Sequence, residues 1–256
     1  MGFVAAVFMG MVLGAIGGGG SILTVPILVY LFSIPATLAT AYSLFVVGVT
    51  SLVSAIQYRH ELNYKLALLF AIPSTFGVLM SRRYILQPMP ASIEVFNYTI
   101  LKDDLVMLVF SILILIISVF MFTAKETTKN RVKDRSLKSA LIIIIEGILV
   151  GGVTGFVGAG GGFMIVPALT LLGVSIREAI ATSLLIISVK SLIGFLSDIA
   201  MNIEMDFVFL LSFSLITMIG AIFGAYLNRY ISKNQLRKIF AYFILIMGIF
   251  ILTGYL

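Results

Sequence analysis

Cysteine is absent from this 256-residue chain, which removes disulfides, thiolate metal sites and thiol catalysis together. Histidine occurs once, as His60 between Arg59 and Glu61, where an exposed side chain is expected. A nucleophile–base pair or a metal cluster is hard to build from such a set, so the chain does not read as an enzyme, and no metal or cofactor is expected. The phosphate-binding pattern G-x-x-x-x-G-K-[ST] is also missing, so any work the chain does is expected to draw on a solute or ion gradient. Charge is scarce as well: 11% of residues are Asp, Glu, Lys or Arg, against 61% hydrophobic. A soluble domain of this length cannot hide that much apolar surface.

What the chain has instead is long apolar runs. Leu105–Phe122, Ala140–Val157 and Phe207–Leu227 approach or exceed the roughly 20 residues that cross about 30 Å of hydrocarbon as a helix. They are continuous, not alternating, which excludes a β-barrel. The expectation is an all-α polytopic membrane protein with the lipid bilayer as its solvent, in a prokaryotic cytoplasmic membrane. The net charge of +6 gathers in a few loops and reads as topology, not as nucleic-acid binding. MGFVAAVFMG lacks a basic leader region and a processing site, so it reads as the first membrane element.

The chain repeats itself. GAIGGGGSILTVP (14–26) returns as GFVGAGGGFMIVP (155–167), with Gly10, Gly14, Gly17, Gly19, Gly20 and Pro26 matching Gly151, Gly155, Gly158, Gly160, Gly161 and Pro167. Beyond a gap, Ala41–Leu44 (AYSL) matches Ala181–Leu184 (ATSL), and Arg83–Ile85 matches Arg229–Ile231. A glycine–proline pattern kept in step implies internal duplication. The organisation is a first transmembrane repeat over 1–124, a basic linker over 125–138 and a second repeat over 139–256. Each half begins with a glycine-broken element: Phe3–Ile16 then Ile22–Phe32, and Ala140–Val157 then Phe163–Leu172. Three spans follow, near Ala36–Gln57, Leu66–Met80 and Leu105–Phe122, and near Arg177–Ser197, Phe207–Leu227 and Leu236–Leu252.

Loop charge orients the spans. The linker and the basic Arg229–Lys238 loop fall on the cytoplasmic side; the Asp198–Asp206 loop, with acids and no Lys or Arg, falls outside. An odd number of crossings must then join Lys138 to Asp198. If Arg177–Ser197 crosses once, the broken element before it returns to the side it came from. The same logic puts Arg59, His60 and Lys65 inside and the Arg82–Asp104 loop outside. The halves come out inverted, as in secondary transporters. Arg82 and Arg83 on the outside go against the charge rule, and Ala140–Val157 is long enough to cross, which would change the count.

Adjacent glycines stop a helix. Backbone leaving a helix in a bilayer must be buried in protein or line a wet cavity. The half-helix that restarts at Ser21 or Gly162 presents free N–H groups and a positive dipole end to the break, which suits an anion. Gly17, Gly18, Gly19, Gly20 and Ser21, with Gly158, Gly160, Gly161 and Gly162, are therefore the candidate binding backbone. Gly10 with Gly14, and Gly151 with Gly155, read instead as close helix packing.

The doubled motif G-x-x-G-x-G-G-x-x-x-x-P, followed by the small-residue A-T-S element, resembles the sulfite exporter TauE/SafE family, also called the 4-toluene sulfonate uptake permease group. The resemblance covers nearly the whole chain. The first copy departs from the second at Gly18 (against Ala159), Ser21 (against Gly162) and Tyr42 (against Thr182). The resemblance implies transport of sulfur-containing or organic anions, with neither direction nor substrate fixed.

Lys190, near the middle of its span, is a functional candidate by default. It would contact an anion, or it would pair with Glu146, midway along Ala140–Val157. Glu146 is also a candidate for carrying a coupled proton. Thr40, Ser43, Thr182 and Ser183 offer hydroxyls to oxyanion oxygens, or else bond back to helix carbonyls. Gln57 and Asp198, near span ends, read as interfacial. The expected activity is secondary transport of a small anion, a sulfur oxyanion or organosulfonate, by alternating access. H+ and Na+ both remain open as coupling ion. The competing readings are an anion channel and a non-transporting scaffold or receptor subunit.

Overall fold

A computed structural model describes residues 2–16, 19–95, 98–123, 137–227, 242, 245–246 and 248–253. Helix α1 (Gly2–Ile16) is followed by a return segment made of a 3-10 turn (Gly19–Leu23), the short α2 (Thr24–Pro26) and a π turn (Ile27–Leu31). Then come α3 (Ala36–Gln57), α4 (Tyr64–Met80, prolonged by a π turn, Ser81–Leu86) and α5 (Lys102–Thr123). The second half runs α6 (Leu137–Val157), α7 (Gly162–Leu171), α8 (Ile176–Ala200) and α9 (Phe207–Leu227). Most of the expected span Leu236–Leu252, and residues 124–136 of the linker, lie outside the described residues.

Four described helices are long and apolar enough to cross a membrane: Ala36–Gln57, Tyr64–Leu86, Arg177–Ala200 and Phe207–Leu227. Their outer faces carry exposed Leu68, Ile72, Val208 and Leu215, while Thr50, Ser54, Ser183 and Lys190 are buried. Apolar outside and polar inside is the pattern a lipid solvent selects. This is an all-α membrane protein. One small addition was not foreseen: β1 (Ser92–Val95) pairs antiparallel with β2 (Tyr98–Leu101), Ser92 facing Leu101, inside the stretch read as a loop. Ile93, Val95, Tyr98, Thr99 and Ile100 are β-formers, dense enough to pair outside the spans.

Local sequence sets the helix starts. Ser175 caps α8: its hydroxyl accepts from the Glu178 N–H at 3.4 Å, while the Glu178 carboxylate accepts from Asn63 Nδ2 at 2.7 Å. Asn63 caps α4, its side chain accepting from the Leu66 N–H at 3.1 Å.

The helices pair across the halves. α1 lies on α9, α6 on α4, and α3 on α8; α3 also touches α9, as α8 touches α4. Exchanging the two halves maps this set of pairs onto itself. The glycines expected to serve packing do so. A Cβ on Gly10 or Gly14 would collide with the backbone of Thr217 or Ala221, and one on Gly151 or Gly155 with that of Ser74 or Val78.

These contacts also give direction. α1 runs parallel to α9 (Gly10 at Thr217, Gly14 at Ala221), and α6 runs parallel to α4 (Gly151 at Ser74, Gly155 at Val78). α3 and α8 are antiparallel: Phe45 packs on Phe195 with ring centroids 4.8 Å apart, Gly48 meets Leu192, and Gly194 meets Leu44. α4 and α8 are parallel, since Val78 meets Gly194 and Arg82 meets Asp198. So α4, α6 and α8 share one direction, and α7 must carry the chain back between α6 and α8. α7 has 10 residues, about 15 Å of helix, half of a hydrocarbon core.

Candidate functional site

The break between α6 and α7 is built by glycine conformation. Gly158, Gly160 and Gly161 have φ of 72°, 63° and 77°, a left-handed region that side chains rarely adopt. Gly161 is the cap of α7 and Gly162 its first residue. The Gly161 carbonyl accepts from Met164 and Ile165, both at 3.0 Å, so the first N–H groups of α7 open onto the break. The other break differs. Gly20 sits in the 3-10 turn, and what it needs is space: a Cβ there would collide with the backbone of Leu13. Gly17 and Gly18 lie outside the described residues; Gly19 opens the 3-10 turn.

The two broken elements meet. A Cβ placed on Gly160 would touch Val47 of α3, Ile187 of α8 and the Ser21 side chain of the return segment. One placed on Gly161 would lie 2.9 Å from Lys190 Nζ. Lys190 is 0% exposed, and its ammonium donates to Thr154 Oγ1 at 2.6 Å. It does not pair with Glu146. Among the described residues the ion pair is Arg82–Asp198 alone. Glu146 is half-buried on α6, with Oε2 lacking a hydrogen-bond partner. A buried ammonium thus stands beside the positive end of α7 with a hydroxyl for company.

The candidate hydroxyls divide. Ser43 Oγ is buried and unpartnered. Ser183 donates to the Ile180 carbonyl at 2.8 Å, the back-bonding alternative. Thr182 accepts from the Asn63 N–H at 3.2 Å, so it faces the end of the α3/α8 pair where α4 begins. Thr40 faces the opposite end: a Cβ on Gly158 would run into it, and it accepts from Arg82 Nη1 at 3.4 Å while donating to the Thr37 carbonyl at 2.7 Å. Thr40 and Thr182 therefore mark two ends of one seam, not a single cluster around Lys190.

Arg82 was missed. The sequence placed it in a loop and Asp198 at an interface; the structure buries both, at 2% and 1% exposure. The π turn after Met80 prolongs α4 and brings Arg82 inward. Its Nε donates to Asp198 Oδ1 at 2.5 Å and its Nη1 to the Gly155 carbonyl at 3.0 Å. The signal available beforehand was its breach of the positive-inside pattern: a cation on the wrong side is one that something else holds.

Two cavities flank the seam. One, of about 350 Å³, is lined by Pro35, Thr37, Leu38, Met201 and Ile203 above Arg82 and Asp198. The other, of about 690 Å³, is lined by Ser175, Arg177, Glu178, Glu61 and Asn63. At the spacing that pairs Ala41 with Ala181, these are the same five positions exchanged between halves. Lys190 lies between the two and is open to neither.

The family described as Sulfite exporter TauE/SafE matches residues 2–251. A probable membrane transporter protein of Methanocaldococcus jannaschii is 26% identical over 96% of this chain and 94% of its own length. A probable membrane transporter protein of Xylella fastidiosa is 26% identical over 95% of this chain and 91% of its own. The Bacillus subtilis probable membrane transporter protein YunE is 25% identical, covering 97% and 96%. No solved structure matches significantly. A buried, charged seam inside an apolar helical shell and a match over nearly its whole length agree: this chain belongs to the sulfite exporter TauE/SafE family, and it is an integral membrane transporter rather than an enzyme.

Proposed function

We propose that the chain carries a small anion, a sulfur oxyanion or an organosulfonate, by alternating access between two inverted halves. The observation behind this is Lys190: fully buried, without a carboxylate partner among the described residues, and beside the head of α7. Burying an ammonium that way is unfavourable until an anion joins it. The inverted repeat is supported by the antiparallel crossing of α3 and α8 and by pairings that survive exchange of the halves. A pseudo-twofold axis relating antiparallel spans lies in the membrane plane. The cavity above Arg82 then opens outside and the one at Asn63 inside, in a prokaryotic cytoplasmic membrane.

A channel would keep its constriction accessible from at least one face; here both cavities stop short of Lys190. The test is uptake by proteoliposomes of sulfite, thiosulfate, sulfoacetate, taurine and simple carboxylates, with Lys190→Ala in parallel. Saturable uptake of at least one anion, lost in Lys190→Ala, is expected. If none moves, the proposal falls; if the variant transports normally, Lys190 leaves the site.

A further inference from the structure

The cavity above Arg82 has the makings of a second anion site. Its walls are apolar, with Leu38, Leu86 and Ile203 among them, and its charges sit at the floor and rim. Its volume of about 350 Å³ is within the range of small-molecule sites. Lys102 also lines it, just ahead of the apolar run Leu105–Phe122. Burial lowers the pKa of its ammonium; Asp103 opposes that and the nearby Arg82 adds to it. Two cations, Arg82 and Lys102, thus share the lining with two carboxylates, Asp198 and Glu204.

Arg82 is fixed on one side and exchangeable on the other. Nη1 is held by the Gly155 carbonyl and Thr40 Oγ1, both neutral and both part of packed helices. Nε is held by Asp198, in the last turn of α8, which is followed at once by the irregular segment 201–206. Asp198 is only half satisfied: Oδ1 takes the arginine, while Oδ2 is buried without a hydrogen-bond partner. A buried carboxylate oxygen left without a donor weakens the carboxylate's hold.

We infer that Asp198 is a built-in stand-in for an anion bound in this cavity, and that an incoming carboxylate or sulfonate with a compact apolar body displaces it from Arg82. The guanidinium fork presents parallel donors that suit either head group, and the apolar walls take the body. Because Arg82 also holds the Gly155 carbonyl, at the end of α6, the exchange is felt at the break that leads to Lys190. Arg82 is thus the recognition residue of this cavity and Asp198 its intramolecular competitor. The direction of onward travel rests on the transport reading above; the site itself does not.

The chain contains no tryptophan, so Gln87→Trp, an exposed position lining the cavity, makes a single-site reporter. Fluorescence of detergent-solubilised reporter protein is titrated with butanoate, butane-1-sulfonate and sulfite. Asp198→Asn, which keeps shape but gives up the competing charge, should tighten butanoate or butane-1-sulfonate binding by about tenfold or more. Arg82→Lys, which keeps charge but loses the fork, should weaken it by a similar factor, and sulfite should bind more weakly than either organic anion. A purely structural pair makes the opposite forecast: Asp198→Asn lowers thermal stability and leaves the titration flat or weaker. That result overturns the site, as does a flat titration with all three probes in both Asp198 forms. If the titrations behave as stated while vesicles move no anion, the transport proposal falls and the site stands. If vesicles transport while Asp198→Asn leaves the titration unchanged, the site falls and transport stands.

Discussion

The two ends of the α3/α8 pair answer one structural problem with different chemistry. In each half the first helix of the broken element exposes a glycine carbonyl near its end. Gly155 is met by Arg82 at 3.0 Å, and Gly14 by the Tyr58 hydroxyl at 3.2 Å. Tyr58 occupies the position that Asp198 holds in the other half. One end is closed by a buried ion pair and the other by a neutral hydrogen bond. On the proposed reading of two inverted halves, one scaffold occurs twice with different side chains, and the two ends are electrostatically distinct. A carrier of the kind proposed would then meet its solute differently on each side.

The widest gap between the ends should show in stability. Arg82→Ala leaves Asp198 buried without its cation and should lower stability by about 3–5 kcal/mol, read as thermal unfolding in detergent. Replacing both members, Arg82→Met with Asp198→Leu, should recover most of that loss, because two desolvated charges are removed together. If the double variant is no better than the single one, the pair does more than satisfy itself. Between the ends, Gly161→Ala forces a side chain into a left-handed residue and against Thr154 and Lys190; about 2 kcal/mol and much of the transport should go. At the neutral end, Tyr58→Phe removes one hydrogen bond and should cost about 1 kcal/mol. His60→Ala, at the exposed rim of the same end, should change neither melting temperature nor uptake. If Tyr58→Phe proved as damaging as Arg82→Ala, the contrast between the ends would collapse.

Legibility followed the range of the interaction. The breaks could be read because adjacent glycines act on their own backbone, and Gly158, Gly160 and Gly161 do take left-handed conformations that favour glycine. The packing glycines could be read because their spacing is local. The Arg82–Asp198 pair could not: its members are 116 residues apart, and each alone looks like an ordinary charge near a span end. Lys190 was legible as an anomaly but not in its partner, since choosing Thr154 over Glu146 depends on how α6 rotates against α8. Thr40 and Thr182 were grouped because they follow the glycine runs alike. Antiparallel packing of α3 on α8 sends such equivalent positions to opposite ends.

Counterflow separates a carrier working through Lys190 from a channel or an inert scaffold. Proteoliposomes loaded with an unlabelled anion from the uptake panel are diluted into a trace of the same anion, labelled. The label should accumulate transiently above its equilibrium level, saturably, with the overshoot lost in Lys190→Ala. Simple equilibration without overshoot, or an overshoot unchanged in Lys190→Ala, would contradict it.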